Sequence, residues 1–230
     1  VQLVDTHLMS TCYVHSLPYS ANPAKYFVAI RNAPGATLLD SCHPESDRGR
    51  YDLISAWPEE TLMVCPNESG SAFLQRLRES LKQLGPAVLP VGLELPFVGG
   101  LIGYLSYDFA RLLENIPNLA LDDLQLPEAR LGLYTWALIS DHYVQTSQLI
   151  FHPNMADSDR MRLIDLFSHE KSNTPTTFKL HGLMDADITV ENYQQAIMHI
   201  LDYIQSGDCY QVNFAQRFRA TCSGDPWVAY

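Results

Sequence analysis

The chain has 230 residues, 47% apolar and 18% charged, enough to bury a sizeable core as one large domain or two small ones. Its 26 acidic and 15 basic residues leave a net charge of −11, which argues against a general nucleic-acid or anionic-membrane binder, because such proteins need a basic surface. A small anionic ligand stays compatible, since a local Arg or Lys cluster can hold one inside an acidic protein.

In chain order, Phe27-Val28-Ala29-Ile30 lies close to Gly35 through Ser41, whose apolar run predicts a strand ending in polar residues. Asp47-Arg48-Gly49-Arg50 predicts a turn, and Tyr51 to Trp57 a strand that pairs back, so the first part reads as a β-hairpin layer. Phe73, Leu74, Leu77, Leu81 and Leu84 recur at helical spacing over 71–84, and Gly85-Pro86 ends that helix. Gly99 through Asp108 predicts a strand leading into a helix through Glu114. Its GGxxG spacing is not a dinucleotide fingerprint, and close backbone packing is the better use of those glycines. Leu131–Ile139 and Val144–Phe151 flank Asp141-His142 and predict a second hairpin, followed by a short helix within 155–167. Residues 169–187 are rich in Ser, Asn, Thr and Asp and read as a linker.

The last stretch is the most informative. Thr189 can cap a helix whose stripe of Tyr193, Ala196, Ile197, Ile200, Leu201 and Ile204 predicts a buried face, and Gly207 can take the left-handed position at its end. From Cys209 the chain alternates like a strand. Tyr210, Val212, Phe214 and Phe218 share one parity, and Gln211, Asn213 and Arg217 share the other. Such a strand is either ordinary half-buried sheet or one wall of a polar pocket. Ser223-Gly224-Asp225 predicts a turn, with Asp225 capping a final helix ahead of Pro226.

Five cysteines, an odd count without a CxxC pair, fit reduced thiols in the cytoplasm. No run approaches about 18 apolar residues, so no membrane span is expected. No charged segment followed by an apolar one opens the chain, so no signal peptide is expected. Val1 is not a natural start and Tyr230 falls inside the final helical pattern, so the chain reads as a fragment. The eight histidines show no metal-ligand spacing. Cys209 is either a nucleophile or a buried strand thiol. Asp40, Ser41, Arg50, Tyr51 and Asp52 form a polar cluster at the predicted strand pair. An Arg–Asp ion pair at a sheet edge and a site for a small zwitterion call for the same residue types.

These motifs resemble a known family. Leu95-Pro96-Phe97 with Gly99-Gly100, Gly103-Tyr104 and Tyr107-Asp108 is similar to the PF-GG-GY-YD signature of the anthranilate synthase and aminodeoxychorismate synthase large subunits. Leu38-Leu39-Asp40-Ser41 followed by Arg50-Tyr51-Asp52 resembles an N-terminal element of that family, and Ser206 through Phe218 resembles the first strand of its chorismate-binding domain. The order is kept over nearly the whole chain. Cys209 through Asn213, together with Tyr134 through Ile139 and Asp141-His142, resembles the aminodeoxychorismate branch. Asn213 and Asp40 differ from the anthranilate branch, which remains the alternative, beside a non-catalytic module binding tryptophan or the amidotransferase.

The resemblance implies an α+β fold of packed antiparallel β-sheets and helices. Residues 1–187 would be the N-terminal region and 188–230 the start of the catalytic domain. It implies a cytoplasmic enzyme that aminates chorismate at C4 with ammonia from a glutamine amidotransferase subunit, using Mg2+, on the way to p-aminobenzoate and folate. Gln211 stands where related isochorismate synthases carry a catalytic lysine base. Glutamine cannot take that proton at neutral pH, which fits an amine-adding branch. The Pro-Ile-Lys-Gly nucleophile run of the aminodeoxychorismate branch is not in this sequence, and the magnesium ligands are expected outside it, so these residues alone are expected to be inactive. The family also binds L-tryptophan. The resemblance places that pocket at Leu39, Ser41, Arg50, Tyr51 and Tyr210, with Ser41 toward the ligand amine and Asn213 as a pocket wall.

Overall fold

The apolar runs at 37–41 and 51–57 become two strands, β3 (Thr37–Leu39) and β4 (Tyr51–Ser55), paired antiparallel as the hairpin layer requires. They belong to a computed structural model describing residues 10–46, 48–119, 121–169 and 176–230. The turn expected at Asp47 and the first half of the expected linker lie wholly or partly outside the described residues, as does the start of the chain. The chain divides into two compact units, residues 1–171 and 172–230.

The first unit also holds β1 (Ser10–Thr11), β2 (Tyr13–Leu17), α1 (Ala24–Phe27), β5 (Glu60–Met63), α2 (Gly70–Leu84), β6 (Ala87–Val88), β7 (Gly100–Leu105), β8 (Ala129–Tyr134), β9 (Trp136–Asp141), β10 (Thr146–Phe151) and α3 (Asp157–Ser168). A five-stranded antiparallel sheet runs β2-β10-β9-β4-β3, a three-stranded one runs β5-β8-β7, and β1 pairs parallel with β6. The run read as one strand over 131–139 is two. At Thr135 the chain leaves the small sheet for the large one, and Thr135 Oγ1 donates to Glu59 Oε1 at 3.1 Å. Trp136 anchors the crossing: its Nε1 donates to Ala56 O at 2.9 Å, and its own carbonyl accepts from Ser55 Oγ at 2.7 Å.

Leu53, Ile102, Tyr134, Ala137, Ile139 and Ile150 form one buried core cluster, with Cys12. α2 lays Phe73 and Leu77 against Leu62, Phe109 and Ala129 in a second. Full burial of an aliphatic or aromatic side chain contributes about 1.5–3 kcal/mol, so these clusters dominate the unit's stability. α2 starts where Ser69 Oγ accepts from the amide of Ala72 at 3.2 Å and stops at Gly85, whose φ of 81° disfavours other residues. The expected close packing is seen at Gly103, where an added Cβ would lie 2.1 Å from the carbonyl oxygen of Arg130 in β8.

The second unit consists of β11 (Phe178–Ala186), α4 (Val190–Ser206), β12 (Phe218–Gly224) and a short 3-10 turn, with β11 and β12 paired antiparallel. The local punctuation is as expected. Thr189 Oγ1 accepts from the amide of Asn192, Gly207 is left-handed at φ 83°, and Asp225 caps the 3-10 turn at Pro226. Three expectations need correcting. The stretch read as a linker is a strand over Phe178–Ala186, because β12 satisfies its backbone. The strand expected from Cys209 begins only at Phe218, and 209–217 is irregular, since β11 pairs only with the later residues. The apolar stripe of α4 is not buried. Periodicity marks a face that wants a cover, but it does not supply one, and in this unit the Tyr193 ring lies 5.3 Å from that of Phe214, tilted by 37°.

Candidate functional site

β3 ends at Leu39, and the chain loops through residues 40–50 before returning as β4 beside the last residues of β9. The ladder sets Tyr51 opposite Asp141 and Asp52 opposite Ser140. Four polar side chains from distant positions therefore meet at one sheet end. Ser41 donates to Asp52 Oδ1 through both its amide and its Oγ, each at 2.8 Å. The other oxygen of Asp52 meets His142 Nε2 at 2.8 Å, and His142 Nδ1 meets Tyr19 OH at 2.9 Å. His43 stacks on the His142 ring with centroids 4.3 Å apart. Asp52 and His142 are buried. A carboxylate only accepts, so Nε2 carries a proton toward Asp52, and Nδ1 shares the other hydrogen bond with the Tyr19 hydroxyl. Burial, with Asp52 and Asp141 nearby, pushes the Tyr19 hydroxyl up. Gly49 closes the loop: a Cβ there would come within 2.6 Å of Ser41 O and 3.0 Å of its Oγ.

Alongside runs an ion pair. Arg50 Nη2 lies 3.0 Å from Asp141 Oδ2 and its Nε 3.3 Å from both carboxylate oxygens. The guanidinium sits 4.6 Å from the Tyr51 ring centre and 5.2 Å from that of Tyr143. Burial works against the Asp141 charge, but hydrogen bonds from Arg50 and the Tyr143 amide outweigh it and hold the carboxyl below the ordinary aspartate range. The same hydrogen bond raises the Arg50 pKa. Burial first, and then the Asp141 charge, raise that of Tyr51.

The expected cluster is thus brought together in part. Leu39, Ser41, Arg50 and Tyr51 share this end of the first unit. Of the two readings of Arg50, the ion pair is what forms, though its partner is Asp141 and neither Asp40 nor Asp52. Asp40 caps its own loop, Oδ1 accepting from the Cys42 amide at 2.6 Å. Tyr210, Gln211 and Asn213 lie in the second unit on the irregular segment and are exposed, with Gln211 Nε2 3.4 Å from Asn213 Oδ1. They do not form the alternating strand face expected of them. Cys209 is half-buried in that segment, so it is not a strand thiol. Sequence reasoning missed Tyr19, His43, Asp141 and His142. Asp141-His142 was read as a turn and as part of the family resemblance but not as site residues, although two titratable residues at the end of a largely apolar strand are themselves a signal.

The order of contacts fixes what this cluster can do. A serine is activated by a base that touches its hydroxyl. Here the carboxylate touches Ser41, and the imidazole lies behind the carboxylate. The arrangement orients Ser41 and does not turn it into a nucleophile. Among the described residues no group of three or more His, Cys, Asp or Glu side chains could hold a metal ion. No helix of the described residues is long and apolar enough to cross a membrane.

Two antiparallel sheets flanked by helices, with a polar, non-nucleophilic cluster where the strands end, define an α+β protein. The chain belongs to the chorismate-binding enzyme family, whose model matches residues 35–230. It is 34% identical to aminodeoxychorismate synthase component 1 of Klebsiella aerogenes over 94% of this chain and 49% of that protein. It is 35% identical to the Escherichia coli protein of that name over 89% of this chain and 46% of that one. It is 29% identical to an Arabidopsis thaliana anthranilate synthase alpha subunit, over 87% of this chain and 38% of the relative. The fold matches that of anthranilate synthase component I from Streptococcus pneumoniae with a TM-score of 0.53 at 21% identity, covering 82% of this chain and 46% of that one. The chain spans about half the length of the relatives it matches.

Proposed function

We propose that this chain is the N-terminal portion of aminodeoxychorismate synthase component I, the first unit being its N-terminal region and the second the opening of its catalytic domain. The whole protein would replace the C4 hydroxyl of chorismate by ammonia, giving 4-amino-4-deoxychorismate. The ammonia would come from a glutamine amidotransferase subunit in the cytoplasm, with Mg2+ bound by residues beyond those described here. The observation that carries this reading is the 34% identity maintained over 94% of the chain to a protein of that name, against 29% for the anthranilate synthase relative. Gln211 supports it chemically, because an amide cannot activate water as a lysine base would. The test is to incubate the full natural protein with chorismate, magnesium and ammonium and identify the product by mass spectrometry. Aminodeoxychorismate is expected. Anthranilate would overturn the reading and move the chain to the other branch.

We also propose that Leu39, Ser41, Arg50 and Tyr51, at this end of the first unit, belong to a binding site for L-tryptophan, with Ser41 meeting the ligand amine. The fixed orientation of Ser41 supports this. Arg50 would act as a wall, since its guanidinium is engaged by Asp141. Calorimetry of the full protein should show tryptophan affinity falling on Ser41→Ala, and unchanged affinity would count against the site.

A further inference from the structure

We propose that the cleft between β3 and the three-stranded sheet binds a planar aromatic carboxylate, its ring lying along β8 and its carboxylate held by Arg130. The cleft has a volume of about 470 Å³ and lies wholly within the first unit. It shares Leu39 with the polar cluster at the end of the five-stranded sheet, but Ser41, Arg50 and Tyr51 do not line it. The proposal is independent of both the reaction and the tryptophan site proposed above.

Side chains on one face of a strand recur every second residue. On β8 that face carries Arg130, Gly132 and Tyr134, about 13 Å from first to last. Gly132 stands between Thr61 of β5 and Ile102 of β7, and Arg130 stands between Met63 and Tyr104. The middle position is empty on β8, because the Tyr134 ring folds back over it, 2.6 Å from where a Gly132 Cβ would lie. The floor is therefore flat there, with no β8 side chain standing up from it. Thr37 and Leu39 of β3 supply the other wall. Tyr134 OH and Thr37 Oγ1 both donate to Gly35 O, at 2.7 and 3.1 Å, so that wall is set before any ligand arrives. A preformed slot of this size, with apolar groups along it, suits a planar ring.

Charge then fixes the ligand class. Arg31 and Arg130 line the cleft and no carboxylate does, in a chain of net charge −11. A local excess of positive charge selects an anion. Arg130 is exposed, whereas Tyr134 at the inner end is buried. Among the described residues Arg130 has no ion-pair partner, so its planar fork of donors can meet both oxygens of a carboxylate. The Tyr134 and Thr37 hydroxyls spend their protons on Gly35 O, which leaves the guanidinium end as the place for the negative charge.

The test is calorimetry on the full natural protein with two probes, 2-naphthoate and its neutral isostere 2-naphthamide. Wild type should bind naphthoate about tenfold or more tighter than the amide, as a charge-assisted pair requires. Arg130→Met keeps the apolar stem without the charge and should bring naphthoate down to the affinity of the amide. Thr61→Phe, on the edge strand β5, should fill the cleft and lose both probes. Both positions are exposed, so both variants should fold, and an unchanged urea midpoint checks this. Should Thr61→Phe not fold, Arg130→Lys takes its place: it keeps the charge without the paired donors and should bind naphthoate with an affinity between those of wild type and Arg130→Met. Equal wild-type affinity for the two probes, or none for either, overturns the proposal. An Arg130→Met protein that keeps the preference places naphthoate elsewhere and overturns it too. Displacement of naphthoate by an equal concentration of inorganic phosphate would show an anion site that does not select a ring, and would overturn the ligand class.

Discussion

Gly103→Ala tests whether the glycine spacing near residue 100 exists for backbone contact. Gly103 pairs with Leu131 in the β7–β8 ladder, and its surroundings are exposed, so a methyl group would ordinarily be harmless. Here its Cβ would sit 2.1 Å from Arg130 O, 2.6 Å from Leu131 Cα and 2.9 Å from Arg130 C. All three are backbone atoms that no rotamer change can move. Restoring a carbon–oxygen contact of about 3.3 Å requires the strands to part by about 1 Å. Overpacking of this kind costs about 1–3 kcal/mol, and weakening one or two ladder hydrogen bonds adds about 0.5–1.5 kcal/mol each, so we expect a loss of about 2–4 kcal/mol. Gly85→Ala is the control in the same unit. Its Cβ would meet nothing within 4 Å, and only its backbone, at φ 81° and ψ 169°, is unfavourable, which costs about 1–3 kcal/mol. Urea unfolding followed by tryptophan fluorescence should therefore place the Gly103→Ala midpoint below that of Gly85→Ala. Equal midpoints, or a Gly103→Ala protein as stable as wild type, would refute the close-contact reasoning.

Three further outcomes are expected. Ser69→Ala removes the cap on α2 and should lower stability by about 1 kcal/mol, read as a lower urea midpoint at unchanged slope. Asp141 has a folded pKa below its ordinary value of 3.8, so the unfolded chain takes up the proton first as pH falls. Its contribution is full above about pH 4 and is lost as pH falls through the folded value, and Asp141→Asn should flatten the acid limb of a stability profile below pH 4. Burial lowers the pKa of His152 from its ordinary 6.5. The unfolded state therefore binds this proton more readily, stability should decline as pH drops below 6.5, and His152→Gln should lose that decline between pH 7 and 5.

Local chemistry was legible wherever one residue decides it. Thr189, Gly207 and Asp225 could be read directly, because a cap or a left-handed residue depends on a few neighbours. Pairing was legible for β3 with β4, two apolar runs that follow one another in sequence across a polar turn, and not for 209–217, where alternation is present but none of the described residues forms a partner strand. The break at Thr135 was hidden because both halves are apolar and only the change of sheet separates them. In the site, Ser41, Arg50 and Tyr51 were found because they are near in sequence. Asp141, His142 and Tyr19 reach the same place across separations of 91, 90 and 123 residues between bonded partners, which no local pattern encodes.

Buried titratable groups of the first unit are concentrated at one sheet end. Asp52, Asp141 and His142 are all buried within three residues of where β4 and β9 run alongside each other. Buried ionic groups are commonly replaceable by apolar residues of similar volume with no loss of stability, and sometimes with a gain. Elsewhere β9 and β10 take the apolar solution, with Trp136, Leu138, Ile139, Leu149, Ile150 and Phe151 all buried. At this end three titratable side chains are kept instead, each satisfied by hydrogen bonds to the neighbouring loops. They hold Ser41 and Arg50 in fixed orientations at the mouth of the loop over 40–50. Removing Asp52 should consequently leave the Ser41 amide and hydroxyl without their acceptor and loosen the loop over 40–50, whereas removing Trp136 should lower the stability of the whole unit through the cavity it leaves.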